Sequence, residues 1–244
     1  MRISISGLSR RFPGPPSHTA LDSLDLEIAQ GEFLCLVGPS GSGKTTLLRI
    51  LAGLDRDYDG VLGLPPGLRL AVVFQEPRLM PWSSVLSNLL LVAPTEDAQA
   101  RPRALALLRE LDIAGFAEAY PAQLSGGMQR RVALARALFV SPELMLMDEP
   151  FVSVDQPTAD HLRDLLSRSW RDRRMTTVFV THDLREAVSL ATRLVFLTRG
   201  PGRVLLDRPV DLPPPGDRSP ADIDRALAEL LTCHPRILEG EAGR

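Results

Sequence analysis

Two glycine-rich segments of this sequence have the residue types and spacing that bind phosphate. The first, GPSGSGKT at residues 38–45, matches the pattern G-x-x-x-x-G-K-[ST], and the second is LSGGMQ at residues 124–129. Glycines allow backbone N–H groups to converge on phosphate oxygens, and the helix that follows adds the positive end of its dipole. One nucleotide needs only one such cradle, so we expect each segment to serve a different copy of the chain. The sequence therefore predicts an ATPase whose active site is shared between two subunits.

The first segment offers a chemical role for each of its residues. Lys44 would reach the β- and γ-phosphates of ATP, and Thr45 would bind Mg²⁺ through its hydroxyl. The segment follows an apolar run and opens a helical pattern, and this context disfavours the alternative of a Gly/Ser turn that only caps a helix. The residues that would surround the α- and β-phosphates are Gly38, Pro39, Ser40, Gly41, Ser42 and Gly43.

A pair of carboxylates, Asp148 and Glu149, follows the apolar run LMLM at residues 144–147. Asp148 would hold Mg²⁺ through water, and Glu149 would act as the general base on the attacking water. A positioned base typically contributes about 10²- to 10⁴-fold in rate. An acidic pair after a strand is often only a solvated helix start, but a phosphate loop in the same sheet favours the catalytic interpretation.

Short apolar runs alternate with longer segments of helical period, which predicts an α/β fold with a largely parallel sheet. Several of the runs end directly in a motif, and functional groups in such sheets gather at the carboxyl ends of the strands. We expect strands at residues 33–37, 70–74, 144–147, 177–181 and 194–198. We expect helices at residues 44–52, 101–111, 127–138, 157–170, 184–191 and 221–231.

The pattern along the chain also predicts its organisation. Helical character dominates between about residues 76 and 142, so we interpret this span as a helical insertion in a domain that covers residues 1–207. Residues 208–244 are Pro-rich at first and then helical, which predicts a short C-terminal tail.

Composition narrows the classes of partner and compartment. A formal net charge of −2 and a pI of about 6.1 lack the basic character of nucleic-acid binding, so we expect no nucleic-acid partner. Two cysteines, Cys35 and Cys233, cannot form a disulfide framework, which fits a reducing compartment. The sequence shows neither a signal-peptide pattern nor the roughly 18 to 20 apolar residues of a membrane span. We expect a cytosolic protein, or one held at a membrane by a partner.

Taken together, these motifs resemble the nucleotide-binding subunits of ABC transporters. The ordered set covers nearly the whole chain up to about residue 207 and comprises GPSGSGKT, Gln75, LSGGMQ, LMDEP, Asp155 and His182. The resemblance implies a P-loop NTPase core with a largely parallel sheet, an antiparallel β portion and an inserted helical subdomain. It also implies a head-to-tail dimer that sandwiches ATP. In that dimer Ser125, Gly126 and Gly127 would bind the γ-phosphate held by the opposing subunit.

The resemblance implies further roles, one position at a time. Gln75 would touch Mg²⁺ and the attacking water, and would couple the site to a membrane subunit. His182 would sense the γ-phosphate and support catalysis, and Thr46 would join the nucleotide contacts. Phe12 resembles the aromatic residue that stacks on adenine, although burial in the core is the commoner fate of a Phe. Asp155 would reach the opposing phosphate loop.

Two segments are similar to an importer branch that serves nitrate, taurine and aliphatic sulfonates. They are QEPRLMPW at residues 75–82 and GPGR at residues 200–203. The apolar side chains of Leu79, Met80 and Trp82 would either dock a membrane subunit or be buried, and both interpretations stay open. The resemblance implies transmembrane permease subunits as direct partners and a solute-binding protein as an indirect one. It places the chain at the cytoplasmic face of a bacterial-type inner membrane.

The sequence also departs from the family pattern. Val152 stands where the family commonly has Ser, and Ser153 and Val154 replace a pair of small apolar residues. Residues 53–70 are shorter than is usual in the importer branch, and their Pro and Gly content predicts trimmed loops.

Three alternative functions remain. One is an ATPase of the same fold with a non-transport role, but such proteins usually carry coiled coils, zinc sites or a basic face, which this sequence lacks. Another is an importer or exporter subunit for an unrelated substrate. The last is a regulatory module that uses ATP only to dimerise, and the presence of Glu149 and His182 disfavours it because a pure switch needs no hydrolytic base.

Overall fold

The computed structural model describes residues 2–94, 96–152 and 154–241, which fold into two β-sheets with helices packed around them. Ser153, one of the departures noted above, lies outside the described residues. The strands are β1 (Arg2–Phe12), β2 (His18–Ala29), β3 (Phe33–Val37), β4 (Asp59–Gly63), β5 (Leu70–Val73), β6 (Leu144–Asp148), β7 (Thr176–Thr181), β8 (Arg193–Leu197) and β9 (Val204–Pro209). The helices are α1 (Lys44–Leu51), α2 (Val85–Leu90), α3 (Ala100–Glu110), α4 (Gly126–Phe139), α5 (Gln156–Arg173), α6 (Leu184–Leu190) and α7 (Pro220–Cys233).

The larger sheet has the strand order β5-β6-β7-β3-β8-β9 and is parallel from β5 to β8, whereas β9 runs antiparallel to β8. Strands β3 and β7 are buried along their whole length, because they are apolar on both faces of a sheet that is covered on both sides. Val37 pairs with Thr181 and Met147 pairs with Phe179, which brings the carboxyl ends of β3, β6 and β7 to one edge. The segments that follow these strands therefore meet.

The smaller sheet is antiparallel, with the order β2-β1-β4. The sequence analysis placed no strand at these positions. In β1, register shifts follow Ile5 and interrupt the regular alternation of apolar and polar residues. Strand β4 lies within residues 53–70, the segment whose Pro and Gly content predicts trimmed loops. Its glycines, Gly60 and Gly63, obscure the strand in the sequence because glycine is unusual inside strands.

Helices α2, α3 and α4 lie between β5 and β6, in the segment interpreted as a helical insertion. Two 3₁₀ turns, Ala114–Phe116 and Pro121–Gln123, connect α3 to α4. The sequence analysis missed α2, which has only six residues and is capped by Ser84, whose hydroxyl accepts a hydrogen bond from the backbone N–H of Ser87. In the described part of this segment there is no strand, and in the described chain no helix is long and apolar enough to cross a membrane.

An aromatic cluster links the edge of the sheet where β3, β6 and β7 end to the core. Phe179 of β7 is fully buried, and its ring centroid lies 6.0 Å from that of Phe33 and 5.7 Å from that of Phe151. Phe151 follows the carboxylate pair by two residues, so its burial fixes the segment that leaves β6. Trp170 of α5 meets Phe33 edge-on and donates a hydrogen bond from Nε1 to the carbonyl of Gly31 at 3.0 Å.

The C-terminal residues pack onto the same core. Strand β9 runs through residue 207, where the sequence analysis placed the end of the ATPase domain. Ser219 and Asp222 form a capping box that starts α7. Leu230 of α7 and Ile237 beyond it are buried in the cluster that contains β3 and β7.

We predict that Phe179→Ala lowers the free energy of unfolding by about 3–5 kcal/mol, because it removes a fully buried ring and leaves a cavity. Phe116→Ala is the matched control, since the Phe116 side chain is exposed, and it should cost no more than about 0.5 kcal/mol. Urea unfolding of both variants measures the difference. Equal losses in the two variants would contradict the assigned core.

Candidate nucleotide-binding site

The loop at residues 38–43 joins β3 to α1 and turns sharply at Gly43. Gly43 caps the helix with a left-handed backbone, φ 84°. A Cβ atom at this position would lie 2.6 Å from the carbonyl oxygen of Ala20 and 2.6 Å from Cδ2 of Leu21. Glycine is therefore required both by the backbone conformation and by the close approach of β2. The loop ends at the positive end of the α1 dipole, which favours an anion there.

Lys44 is the only lysine of the chain, and the loop holds it in place. Its Nζ donates hydrogen bonds to the carbonyl oxygens of Gly38 at 2.7 Å and Pro39 at 2.8 Å, and to Oγ of Ser42 at 3.2 Å. Burial lowers the pKa of the Lys44 ammonium, and the nearby carboxylates oppose this shift. A phosphate in the loop would compensate the buried charge and replace these carbonyl contacts.

Asp148 ends β6 beside the first turn of α1. Burial raises the pKa of the Asp148 carboxyl, the charge of Glu149 raises it further, and a hydrogen bond from the Thr45 hydroxyl acts in the opposite direction. The Asp148 carboxylate, the Thr45 hydroxyl and the amide oxygen of Gln75 therefore offer oxygen ligands in the same cleft. Such a set fits Mg²⁺, which prefers oxygen ligands and keeps several of its waters.

Glu149 has a strained backbone in the left-handed region, with φ 46°. Its N–H donates to the carbonyl of Val180 at 2.9 Å, which extends the β6–β7 ladder by one residue and maintains the strain. Left-handed non-glycine residues cost of order 1–3 kcal/mol and cluster at functional sites. Nδ1 of His182 lies 3.2 Å from Oε1 of Glu149, so the side chains that directly follow β6 and β7 are in contact.

The backbone on both sides of His182 is fixed by a residue that the sequence analysis missed. The Thr181 hydroxyl donates to Oε2 of Glu186 at 2.5 Å, and the backbone N–H of Asp183 donates to the Thr181 hydroxyl oxygen at 3.0 Å. The Asp183 carboxylate in turn caps α6 by accepting a hydrogen bond from the N–H of Glu186. Glu186 is buried, and burial raises the pKa of its carboxyl. The sequence signal was an Asp three residues before a Glu at a helix start.

Several of these residues line one cleft of about 340 Å³, whereas the predicted site residues Gly38, Pro39 and His182 are not part of its lining. The cleft is lined by predicted site residues from the 38–43 loop, from α1 and from the ends of β1, β5 and β6. Two residues of β2 that were not predicted, His18 and Ala20, also line it. The lining consists of Phe12, His18, Ala20, Ser40, Gly41, Ser42, Gly43, Lys44, Thr45, Thr46, Gln75, Asp148 and Glu149. Phe12 stands at its mouth, partly exposed, and the guanidinium carbon of Arg10 lies 4.3 Å from its ring centroid.

The second glycine-rich segment does not reach this cleft. Among the residues that the structure describes, Ser125, Gly126 and Gly127 are absent from the lining. Ser125 caps α4 by accepting a hydrogen bond from the N–H of Met128 at 3.3 Å, and Ser125 and Gly126 are exposed. Apart from the adjoining residues and the backbone of α4 itself, no described atom lies within 4 Å of a Cβ built on Gly126 or Gly127, so the start of α4 is open to another molecule.

Asp155 is likewise outside the cleft and caps α5. Its carboxylate accepts a hydrogen bond from the N–H of Thr158 at 3.1 Å, and hydrogen bonds with Thr158 lower its pKa. The guanidinium of Arg131, from α4, donates to the Thr158 hydroxyl at 2.9 Å. The helix that starts with the second glycine-rich segment is thereby linked to the Asp155 cap. The sequence analysis gave no role to Arg131.

Comparisons with known proteins find a matching family, related sequences and a related structure. The family model described as ABC transporter matches residues 21–152. The aliphatic sulfonates import ATP-binding protein SsuB of Mycobacterium sp. (strain MCS) is 48% identical over 235 residues, which cover 93% of each chain. SsuB of Bacillus licheniformis is 43% identical over 226 residues, covering 90% of this chain and 89% of the relative. The dimeric structure of MJ0796, a bacterial ABC transporter cassette, superposes with a TM-score of 0.77 at 31% identity, covering 85% of this chain and 98% of that one.

We predict that Lys44→Met weakens ATP binding by about 10- to 100-fold, because one charged hydrogen-bonding group contributes roughly 1.5–3 kcal/mol. Arg49→Met removes a positive charge from the exposed face of the same helix and serves as the matched control. Titration with a fluorescent ATP analogue gives both affinities. An unchanged affinity in Lys44→Met would contradict the assignment of the cleft.

Proposed function

The chain belongs to the ABC transporter family, and we propose that it energises the import of aliphatic sulfonates. The ABC ATPase fold expected from the sequence is confirmed, and so is the ATP-hydrolysing transport function. The proposal for the cargo is carried by one observation. Two relatives that match 88% and 93% of this chain, each at 48% identity, are named import ATP-binding proteins for aliphatic sulfonates. The ATPase subunit need not touch the cargo, so this observation is indirect.

We propose that the working unit is a head-to-tail dimer with two shared sites. Each site would combine the cleft of one copy with Ser125, Gly126 and Gly127 of the other. The exposed start of α4 supports this arrangement, since backbone N–H groups and the helix dipole favour a phosphate there. The start of α4 also lies outside the cleft of its own copy, and the similar cassette is a dimer, which both support the shared site. Asp155, at the cap of α5, would face the opposing phosphate loop.

Hydrolysis follows from the residues in the cleft. Lys44 would move from the carbonyl oxygens of the loop to the β- and γ-phosphates, while Thr45, Gln75 and Asp148 would hold Mg²⁺. Mg²⁺ supplies neutralisation of the charge that develops on the phosphate oxygens. Glu149 would accept a proton from the attacking water as the water adds to the γ-phosphorus and ADP leaves. His182, in contact with Glu149, would orient that carboxylate and the γ-phosphate.

The helical segment offers a surface for a permease. Trp82 is 73% exposed and is free to dock another subunit, whereas Leu79 packs against the core. Docking therefore applies to Trp82, and burial applies to Leu79. The fully buried Asn88 fixes the segment, because its Oδ1 accepts from the N–H of Met80 at 2.8 Å and its Nδ2 donates to the carbonyl of Met80 at 3.2 Å. We propose that Trp82 docks a transmembrane subunit at the cytoplasmic face of the membrane. A solute-binding protein would act on the other side.

We predict that Glu149→Gln keeps ATP affinity but lowers the hydrolysis rate by at least about 100-fold, since a positioned base is lost. The variant should accumulate an ATP-bound dimer, because the sandwiched nucleotide is no longer cleaved. Gel filtration with light scattering in the presence of ATP and Mg²⁺ measures the mass. Glu143→Gln, an exposed carboxylate just before β6, is the control and should behave as the wild type. A monomeric Glu149→Gln variant with bound ATP would contradict the shared site.

For the cargo, we predict that ATP hydrolysis by the complex with its permease is stimulated by a binding protein loaded with an alkanesulfonate. Reconstitution in proteoliposomes allows the same assay with taurine, nitrate and an uncharged sugar. Stimulation by alkanesulfonates above the other solutes supports the proposal. Stimulation by an unrelated solute alone would overturn the cargo assignment and leave the ATPase assignment intact.

A further inference from the structure

The turn between β8 and β9, residues 198–203, contains the GPGR segment and has a rigid internal structure. The Thr198 hydroxyl donates to the carbonyl of Pro201 at 2.7 Å and accepts a hydrogen bond from the N–H of Arg203 at 3.0 Å. The backbone N–H of Thr198 also donates to the carbonyl of Arg203 at 3.0 Å. One half-buried threonine thus closes the turn from both ends.

The backbone of the turn packs closely against the backbone of the phosphate loop. A Cβ atom at Gly202 would lie 2.1 Å from the carbonyl oxygen of Ser42, and one at Gly200 would lie 2.9 Å from the carbonyl oxygen of Gly41. Both partners are main-chain atoms of the loop, so no flexible side chain can move aside. Backbone meets backbone here, which requires glycine on the turn side.

The turn is also fixed to β2, the strand that adjoins the loop at Gly43. The N–H of Gly202 donates to the carbonyl of Ala20 at 2.9 Å, and the N–H of Asp22 donates to the carbonyl of Gly202 at 3.1 Å. An ion pair between Arg203 and Asp22 adds to this attachment. The carbonyl of Ala20 therefore faces Gly202 and the Cβ position of Gly43 together.

The C-terminal segment contacts the same place. The carbonyl of Gly240 accepts a hydrogen bond from the N–H of Arg199 at 3.2 Å, and a Cβ atom at Gly240 would lie 3.0 Å from Cγ of Pro39. The turn thus lies between the phosphate loop, β2 and the segment around Gly240. No residue of the turn lines the nucleotide cleft in the described part of the chain.

We propose that residues 198–203 form a positioning element that holds the phosphate loop in its binding conformation before nucleotide arrives, with Thr198, Gly200 and Gly202 as positioning residues. The inference rests on the proposed role of residues 38–45 in ATP binding. Because the turn orders the loop in advance, ATP does not have to supply that ordering, and affinity is higher. If the turn is loosened, ATP binding must supply the free energy that orders the loop, and the affinity for ATP falls.

The first test compares Thr198→Val with Thr198→Ser. Valine keeps the shape and removes both hydroxyl hydrogen bonds, so KM and Kd for ATP should rise by about fivefold or more, with kcat within about twofold of the wild type. Serine keeps the hydroxyl and should restore wild-type KM. A merely structural loss would lower the active fraction without changing KM. Wild-type KM and Kd in Thr198→Val, or equal changes in both variants, would overturn the proposal.

The second test is a graded series of glycine substitutions, read by calorimetric titration with ADP and ATP. Gly202→Ala should weaken binding by about 10- to 100-fold, because its Cβ would displace the loop backbone and cost about one hydrogen bond to a charged phosphate. Gly200→Ala should weaken binding less, since its Cβ would lie farther from the loop. Gly115→Ala is the control, because a Cβ there meets no atom within 4 Å and its backbone φ is not left-handed. Equal affinities across the series would overturn the proposal.

Two outcomes need separate interpretation. If Gly202→Ala does not fold, the Thr198 pair decides the question, since valine and serine introduce no new contact with the loop. If the wild type itself binds no ATP, the proposed function fails and the inference fails with it. If the wild type binds ATP and the variants match it, only the positioning role fails.

Discussion

The parallel register of the central sheet is the constraint on which the site depends. Backbone pairing between β3, β6, β7 and their neighbours brings the carboxyl ends of five strands to one edge. The phosphate loop, Gln75, the carboxylate pair, His182 and the 198–203 turn each begin where one of these strands ends. The hydrogen bond from Glu149 to Val180 continues the ladder into the site, so the position and the strain of Glu149, the proposed general base, follow from strand pairing.

The buried charges at this edge, one positive and one negative, suit a phosphate anion that is bound together with a metal cation. Lys44 and Asp148 are both buried, and burial shifts each pKa toward the neutral form, down for the ammonium and up for the carboxyl. Each charge partly compensates the other. ATP with Mg²⁺ would complete this balance, because phosphate oxygens would compensate Lys44 and the metal would compensate Asp148. The cleft therefore has the electrostatic character of an ATP site before ATP is bound.

The parts of this account that the sequence could predict share a physical basis. Strands β3 and β7 were located within one residue because their runs are apolar on both faces, and the phosphate loop was recognisable because its chemistry depends on a fixed local spacing. Strands β1, β2 and β4 were missed because a small, half-buried sheet with register shifts and glycines leaves no regular period. The contacts of Glu186 with Thr181 and of Gly202 with Ser42 were also inaccessible, since each depends on three-dimensional placement of segments that have no pattern in common. Spacing along the chain predicts local chemistry, whereas supporting contacts require the fold.

We propose that two copies of the chain complete each site, and mixing two inactive variants provides a direct test. Lys44→Met disables the cleft, and Ser125→Arg blocks the start of α4. In a mixed dimer, the intact cleft of the Ser125→Arg copy would face the intact helix start of the Lys44→Met copy. The measurement is the ATP hydrolysis rate of each variant alone and of their equimolar mixture. If each site is shared between two copies, ATP hydrolysis should reappear when the variants are mixed. A mixture as inactive as its components would contradict the shared site.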